Sequence, residues 1–155
     1  MKRLLTLIVL MIMLPGAAIM ESLTDVWVLC QPDSYVNVRA SANIHSKAEG
    51  YALCGDSFRT DGKCRNGFVH VYAPIEAGEG WIADGYVVWD KPAEVNSEYF
   101  IRSNGRVSIR RTIGGDRRKW VHDGDSLKVY WISDSWAVTN EGFIKTEFLE
   151  AYNGD

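Results

Sequence analysis

The feature that most constrains this chain is that its sequence is written twice. YVNVR (35–39) answers RVSIR (106–110), 71 residues on. CGDS (54–57) answers DGDS (123–126) at 69, NGFVHV (66–71) answers DSWAVT (134–139) at 68, and EGWIADGYV (79–87) answers EGFIKTEFL (141–149) at 62. The four matches keep their order while the offset shrinks, which implies loop deletions in the second copy, notably of APIEAGE (73–79). Loops change length at small cost in closure entropy, so a duplicated unit diverges there first.

Each copy reads as β-structure. Period-2 stretches dominate after residue 25: VWVL (26–29), YVNVR (35–39), FVHVY (68–72), RVSIR (106–110), LKVYWI (127–132) and WAVT (136–139), with Gly, Asn, Asp and Ser between them. Short strands punctuated by turn signals predict an all-β barrel or sandwich. Alternation assigns faces: Val36, Val38, Val107 and Ile109 point into a core, while Asn37, Arg39, Ser108 and Arg110 point away. A unit of 50 to 65 residues with some five strands is marginal by size, and closing its sheet would hide the strand edges. The segment VVWDKPAEVNSE (87–98) reads as the linker.

The first residues do not read as part of the fold. Lys2 and Arg3 precede an apolar run from Leu4 to Leu14, Pro15-Gly16 breaks it, and Gly16 and Ala18 are the small residues a signal peptidase selects. This predicts a signal peptide over 1–18, cleaved after Ala18. The rival reading is a retained anchor, for which the interrupted stretch from Leu4 to Met20 is short against the roughly 20 residues of a spanning helix. Cleavage implies a secreted or cell-envelope protein with no stable membrane span. It leaves 15 basic against 20 acidic residues, which does not suit a nucleic-acid binder. In an oxidising compartment two of Cys30, Cys54 and Cys64 can pair. Cys30–Cys54 would tie the leading strand to the sheet, Cys54–Cys64 would bridge a hairpin, and three free thiols are the remaining reading.

VNVRAS, EGYALCGDS, NGFVHV and EGWIADGYV together resemble the bacterial SH3 (SH3b) domain: an N-V-R opening, a G-D turn, an N-G-aromatic strand and a closing G-W-aliphatic strand. The second copy fits through RVSIRR, DGDSLKV, SDSWAVT and EGFIKTEFL, with Ser108 for the Asn and Phe143 for the Trp. The whole is similar to small exported tandem-SH3b proteins of gut Firmicutes. The resemblance implies two small SH3-like barrels in tandem, at 26–90 and 100–151. It also implies a non-catalytic partner of the cell wall, recognising peptidoglycan peptide or glycan or an anionic wall polymer. A protein-interaction or assembly factor at the envelope is the alternative, and a wall hydrolase a remote one.

The chemistry-bearing residues are few. Cys54, Cys64 and His70 lie close in sequence, but no helix is predicted near either thiol to lower its pKa, and His70 alternates onto the polar face of its strand. No C-x-x-C or H-x-x-x-H spacing suggests a metal, and no motif suggests a cofactor. The candidates are therefore surface rings and charges. Tyr72, Trp81 and Tyr86 in the first copy, and Trp120, Tyr130, Trp131, Trp136 and Phe148 in the second, supply flat faces that stack on sugars or peptide planes. Trp81 and Trp136 also suit the cores, and Tyr130 and Trp131, being neighbours on a strand, cannot both face inward. Arg110, Arg111, Arg117 and Arg118 belong to a basic run from Arg102 to Lys119, in which Asp116 is the only acid. Guanidinium forks suit phosphate and carboxylate. Protein recovered from the medium of an expressing Gram-positive host is expected to begin at Ile19 by N-terminal sequencing; a product still carrying Met1 would support the anchored reading.

Overall fold

The computed structural model describes residues 22–152, and the signal segment 1–18 lies outside them. It is all-β, with two antiparallel sheets. The first comprises β1 (Thr24–Val28), β2 (Val36–Arg39), β3 (Ala48–Ala52), β4 (Ser57–Thr60), β5 (Cys64–Arg65), β6 (Phe68–Tyr72), β7 (Glu79–Ala83) and β8 (Val87–Val88). The second comprises β9 (Ala93–Ile101), β10 (Val107–Arg110), β11 (Arg117–Val121), β12 (Ser126–Ile132), β13 (Trp136–Thr139), β14 (Gly142–Lys145) and β15 (Leu149–Ala151).

The duplication survives at the level of topology. The strand order β3-β2-β7-β6-β4-β1-β8 is repeated as β11-β10-β14-β13-β12-β9-β15, with β5 an extra hairpin strand on β6. Single-turn 3-10 segments, Asp84–Tyr86 and Thr146–Phe148, precede the last strand of each sheet. Register shifts fall at equivalent points, between Val38 and Arg39 and between Ile109 and Arg110. The largest step of the shrinking offset falls at the β6–β7 connection of six residues (73–78), which becomes two residues (140–141) between β13 and β14.

Local sequence explains the turns. β5 and β6 are joined by Asn66-Gly67 at φ 51° and 75°, the left-handed pair of a type I′ hairpin. The G-D motif is one turn built twice. Gly55 and Gly124 sit at φ 86° and 83°, and the carboxylates of Asp56 and Asp125 accept the N–H of Leu53 and of His122, each at 2.8 Å.

Neither sheet closes on itself, contrary to the expectation of closed barrels. β3 and β8 remain edges of the first sheet, β11 and β15 of the second. The edges are managed otherwise: β8 and β15 are two and three residues long, and β11 presents Arg117, Arg118 and Lys119. Each sheet still wraps a core of its own. Val26, Val36, Val38, Phe58, Val71 and Ile82 are buried together in the first, and Ile101, Val107, Ile109, Val129 and Ile144 in the second, as the alternation required. The expected linker is mostly strand. Val87–Val88 closes the first sheet and the second begins at Ala93, leaving four residues (89–92) between them.

A third apolar cluster joins the two copies. Leu29 and Val88 of the first meet Val138 and Phe143 of the second, walled by Trp27, Cys54, Tyr86, Ile113, Trp131 and Trp136. Tyr86 packs edge-on to Phe143 with ring centroids 6.1 Å apart, and Ile113 N–H donates to Gly85 O at 2.8 Å. Trp131 lies so close to Gly55 that a Cβ there would stand 2.6 Å from the indole. The contact uses unlike faces. Phe143 takes the register position that Trp81 holds in the first copy, and Val138 that of His70. Conversely, the positions of Leu29 and Val88 recur in the second copy as Arg102 and Glu150, an exposed ion pair. One surface was made apolar in each copy, a different one each time. Phe143→Ala is expected to cost about 3–5 kcal/mol by emptying the centre of the contact. Calorimetry should show the melting of both copies lowered together, whereas an unchanged second transition would mean that the copies are energetically independent.

Candidate functional site

The two conserved-position arginines of the repeat are the starting point, because they build the loops that frame the outer faces. Arg39 donates from Nη1 to Ser46 O at 2.7 Å, and Arg110 from Nη1 to Gly115 O at 2.6 Å. Each guanidinium braces the loop of a hairpin, β2–β3 in one copy and β10–β11 in the other. The polar outward position of N-V-R is thus largely structural, and Arg110 contributes its charge to the surface with its fork already engaged.

Beside each brace lies an equivalent cleft. In the first copy Asn37, Arg39, Phe68, Ala83 and Tyr86 line about 190 Å³; in the second Ser108, Arg110, Trp136, Lys145 and Phe148 line about 210 Å³. The residues correspond one to one through the offsets of the repeat. Across β2 and β10 stands an exposed ring, also at one register position: Tyr51 opposite Asn37, and Trp120 opposite Ser108.

The chemistry of the two faces has diverged. In the first copy Tyr35 and Tyr51 are 62% and 67% exposed and meet edge to face at 5.9 Å. With Asn37, Glu49, Gly50 and Leu53 they line a shallow depression of about 630 Å³, and Ile44 extends the apolar surface toward the cleft. In the second copy the place of Tyr35 is taken by Arg106, whose guanidinium lies 5.0 Å from the Trp120 ring centre. Arg117 lies over the same ring at 4.5 Å. Cation–π contact with an indole restrains both side chains at little cost. Arg111 and Arg118 are exposed nearby.

The other expected residues are placed elsewhere. Trp131 is spent on the contact between the copies, and Tyr86 is divided between that contact and the first cleft. Tyr130 is half-buried beneath the Lys128 ammonium at 5.9 Å. Tyr72 and Trp81 flank His70 at ring distances of 5.2 and 5.0 Å. His70 is buried rather than on an open polar face, because Asp61 and Glu79 receive its two nitrogens, at 3.1 and 3.6 Å. Among the described residues no thiol hydrogen-bonds to it. Cys54 Sγ instead accepts the Cys30 N–H at 3.3 Å and bonds with the Cys30 thiol. That bond pulls Cys54 below the usual thiol range; the same bond, with burial, pushes Cys30 up. All three thiols are free, Cys64 being exposed on the β5–β6 hairpin. Among the described residues no group of three metal-ligating side chains gathers, and no helix is long and apolar enough to cross a membrane.

Tyr35, Tyr51, Leu53 and Ile44 are the surface residues that the strand patterns missed, while Arg106 lay within the basic run. Aligning the copies through the G-D turn would have found Tyr51, since the offset of 69 that carries Cys54 to Asp123 also carries Tyr51 to Trp120.

No family model matches the chain, and no curated protein matches it. Among solved structures it is similar to NlpC1 from Trichomonas vaginalis, 16% identical over 92% of this chain and 50% of that one, with a TM-score of 0.37. It is also similar to NlpC2 from the same organism, 14% identical over 87% and 51%, with a TM-score of 0.35. The chain spans about half the length of those structures.

The Asp61 cluster makes a pH-dependent contribution. Burial works to raise this carboxyl, but the Lys63 ammonium at 2.6 Å, the Lys63 N–H at 3.1 Å and His70 hold it down, to about 2. That is below the value of about 3.9 in an unfolded chain. The stabilisation is therefore whole above about pH 4 and lost as pH falls towards 2. Asp61→Asn is expected to flatten this limb of the stability profile in urea titrations across that range, and a limb as steep as the wild type's would remove Asp61 as its source.

Proposed function

We propose that this chain is an exported, non-catalytic binding protein whose two copies are open-sheet units of the bacterial SH3 kind, and that its outer faces hold a component of the cell wall. The observation that carries the reading is the recurrence of a braced cleft beside an exposed ring at the same register position in both copies. Core packing does not account for it. Tyr35, Tyr51 and Leu53 are large apolar side chains left in solvent together, which marks an interaction surface. A shallow, ring-lined depression suits the flat face of a sugar or a peptide plane better than a small molecule needing enclosure.

Export follows from the basic, apolar and small-residue order of the first 18 residues. In an oxidising compartment Cys30 and Cys54 would be the pair to form a disulfide, a reading supported by the hydrogen bond from the Cys30 N–H to Cys54 Sγ. A second reading is favoured by the same apolar patch: it adjoins the open edge strand β3, which suits an exported protein partner.

One assay separates the readings. Purified peptidoglycan sacculi are expected to retain the protein at low salt, and Tyr35→Ala with Tyr51→Ala to weaken retention about tenfold without altering the melting temperature. Failure of the wild-type chain to sediment with sacculi would sink the wall reading and leave the protein-partner one.

A further inference from the structure

Six exposed cations of this protein have an acidic partner. Lys47 pairs with Glu49, Arg59 with Asp25, Lys63 with Asp61, Arg102 with Glu150, Lys119 with Glu141 and Lys145 with Glu147. Arg106 and Arg117 depart from this pattern. Among the described residues neither joins an ion pair, and both are instead held against one ring, with guanidinium carbons 5.0 and 4.5 Å from the centre of Trp120. Arg111 and Arg118 add two further exposed cations that join no ion pair among the described residues, in a chain of net charge −3. Contact with one ring holds the two guanidiniums close to each other, and both residues are exposed, so two cationic forks stand ready for an acceptor from outside. The acid nearest in sequence, Asp116, makes no ion pair with them.

We propose that Arg106, Arg117 and Trp120 form an oxyanion site that takes the phosphate groups of a wall polymer. The site belongs to the second copy alone. Tyr35 stands where the second copy has Arg106, Tyr51 where it has Trp120, and Ala48 where it has Arg117, so the first copy lacks these two cations at the same place. This assignment rests on the wall-binding reading of the outer faces and divides it, with an uncharged ligand segment on one copy and an anionic one on the other. Phosphate is favoured over carboxylate by the pair of forks. A carboxylate fills one fork, whereas successive phosphodiesters, or one phosphate monoester, can fill two. A nucleic acid is disfavoured because the Trp120 ring, the stacking platform a base would need, already carries guanidinium groups.

The test uses the folded full-length mature chain labelled with ¹⁵N, and follows the Trp120 indole N–H by NMR. The probes are a synthetic glycerol-phosphate oligomer, an oligoglucuronate, chitotriose and a short oligodeoxythymidylate. The phosphate oligomer is expected to shift the Trp120 resonance, to lose affinity steeply between low and physiological salt, and to bind about tenfold more weakly to R106Q/R117Q. R106K/R117K, which keeps the charge and removes the fork, is expected to bind almost as weakly, and both variants should melt as the wild type does. Chitotriose is expected to leave Trp120 unmoved and to shift Tyr51. An undisturbed Trp120, equal binding by the glutamine variant, or tighter binding of the glucuronate or oligodeoxythymidylate would overturn the assignment. If sacculi still retain the wild-type chain in those cases, the fault lies with this site; if they do not, it lies with the wall reading itself.

Discussion

The apolar contact between the two copies is the interaction on which the rest depends. Each sheet wraps only a modest core, and each leaves two strand edges unpaired. Small open sheets are weak alone, and a shared cluster of Leu29, Val88, Val138 and Phe143 gives each copy a second buried surface. It also fixes how the copies face one another, because Trp131 fits only against a glycine and Ile113 donates across the boundary to Gly85. The connector of four residues keeps the copies close, while the cluster sets their arrangement.

With the scaffold secured, the outer faces were free to change. The brace from Arg39 to Ser46 and its counterpart from Arg110 to Gly115 hold the same hairpin in both copies. What stands on that hairpin differs: tyrosines, a leucine and a glutamate on one, arginines and a tryptophan on the other. A duplication that keeps its backbone hydrogen bonds and alters its exposed side chains can acquire a second specificity without refolding.

How far the sequence could be read follows from what each segment has to do. Strands with one buried face, such as YVNVR and RVSIR, announce themselves by alternation, and their valines and isoleucines are in the cores. The edge strands were invisible. AEGYA on β3 and RRKWV on β11 each bury only their last residue, so no apolar period is imposed on them. Tyr51 was overlooked for the same reason, since it sits on one of those edges, whereas Trp120 on the other was among the candidate rings. The open sheets could not be foreseen either, because short terminal strands and charges on β11 protect an edge as well as closure does. His70 looked outward by parity, and the side chains that cover it come from Asp61 and Glu79, whose proximity is a matter of topology.

The unlike faces of that contact bear on how many such units could be strung together. A head-to-tail joint has no intrinsic reason to stop, since every unit that offers one surface also carries the other, and such joints elsewhere generate open stacks. Here the second copy presents the salt-linked Arg102 and Glu150 where it would need Leu29 and Val88, and the first presents His70 and Trp81, beside Asp61, where it would need Val138 and Phe143. Neither outward end therefore repeats the apolar surface that forms the joint: one is an exposed ion pair, and the other is a histidine covered by carboxylates and rings, so the joint between these two copies is not written again at either end.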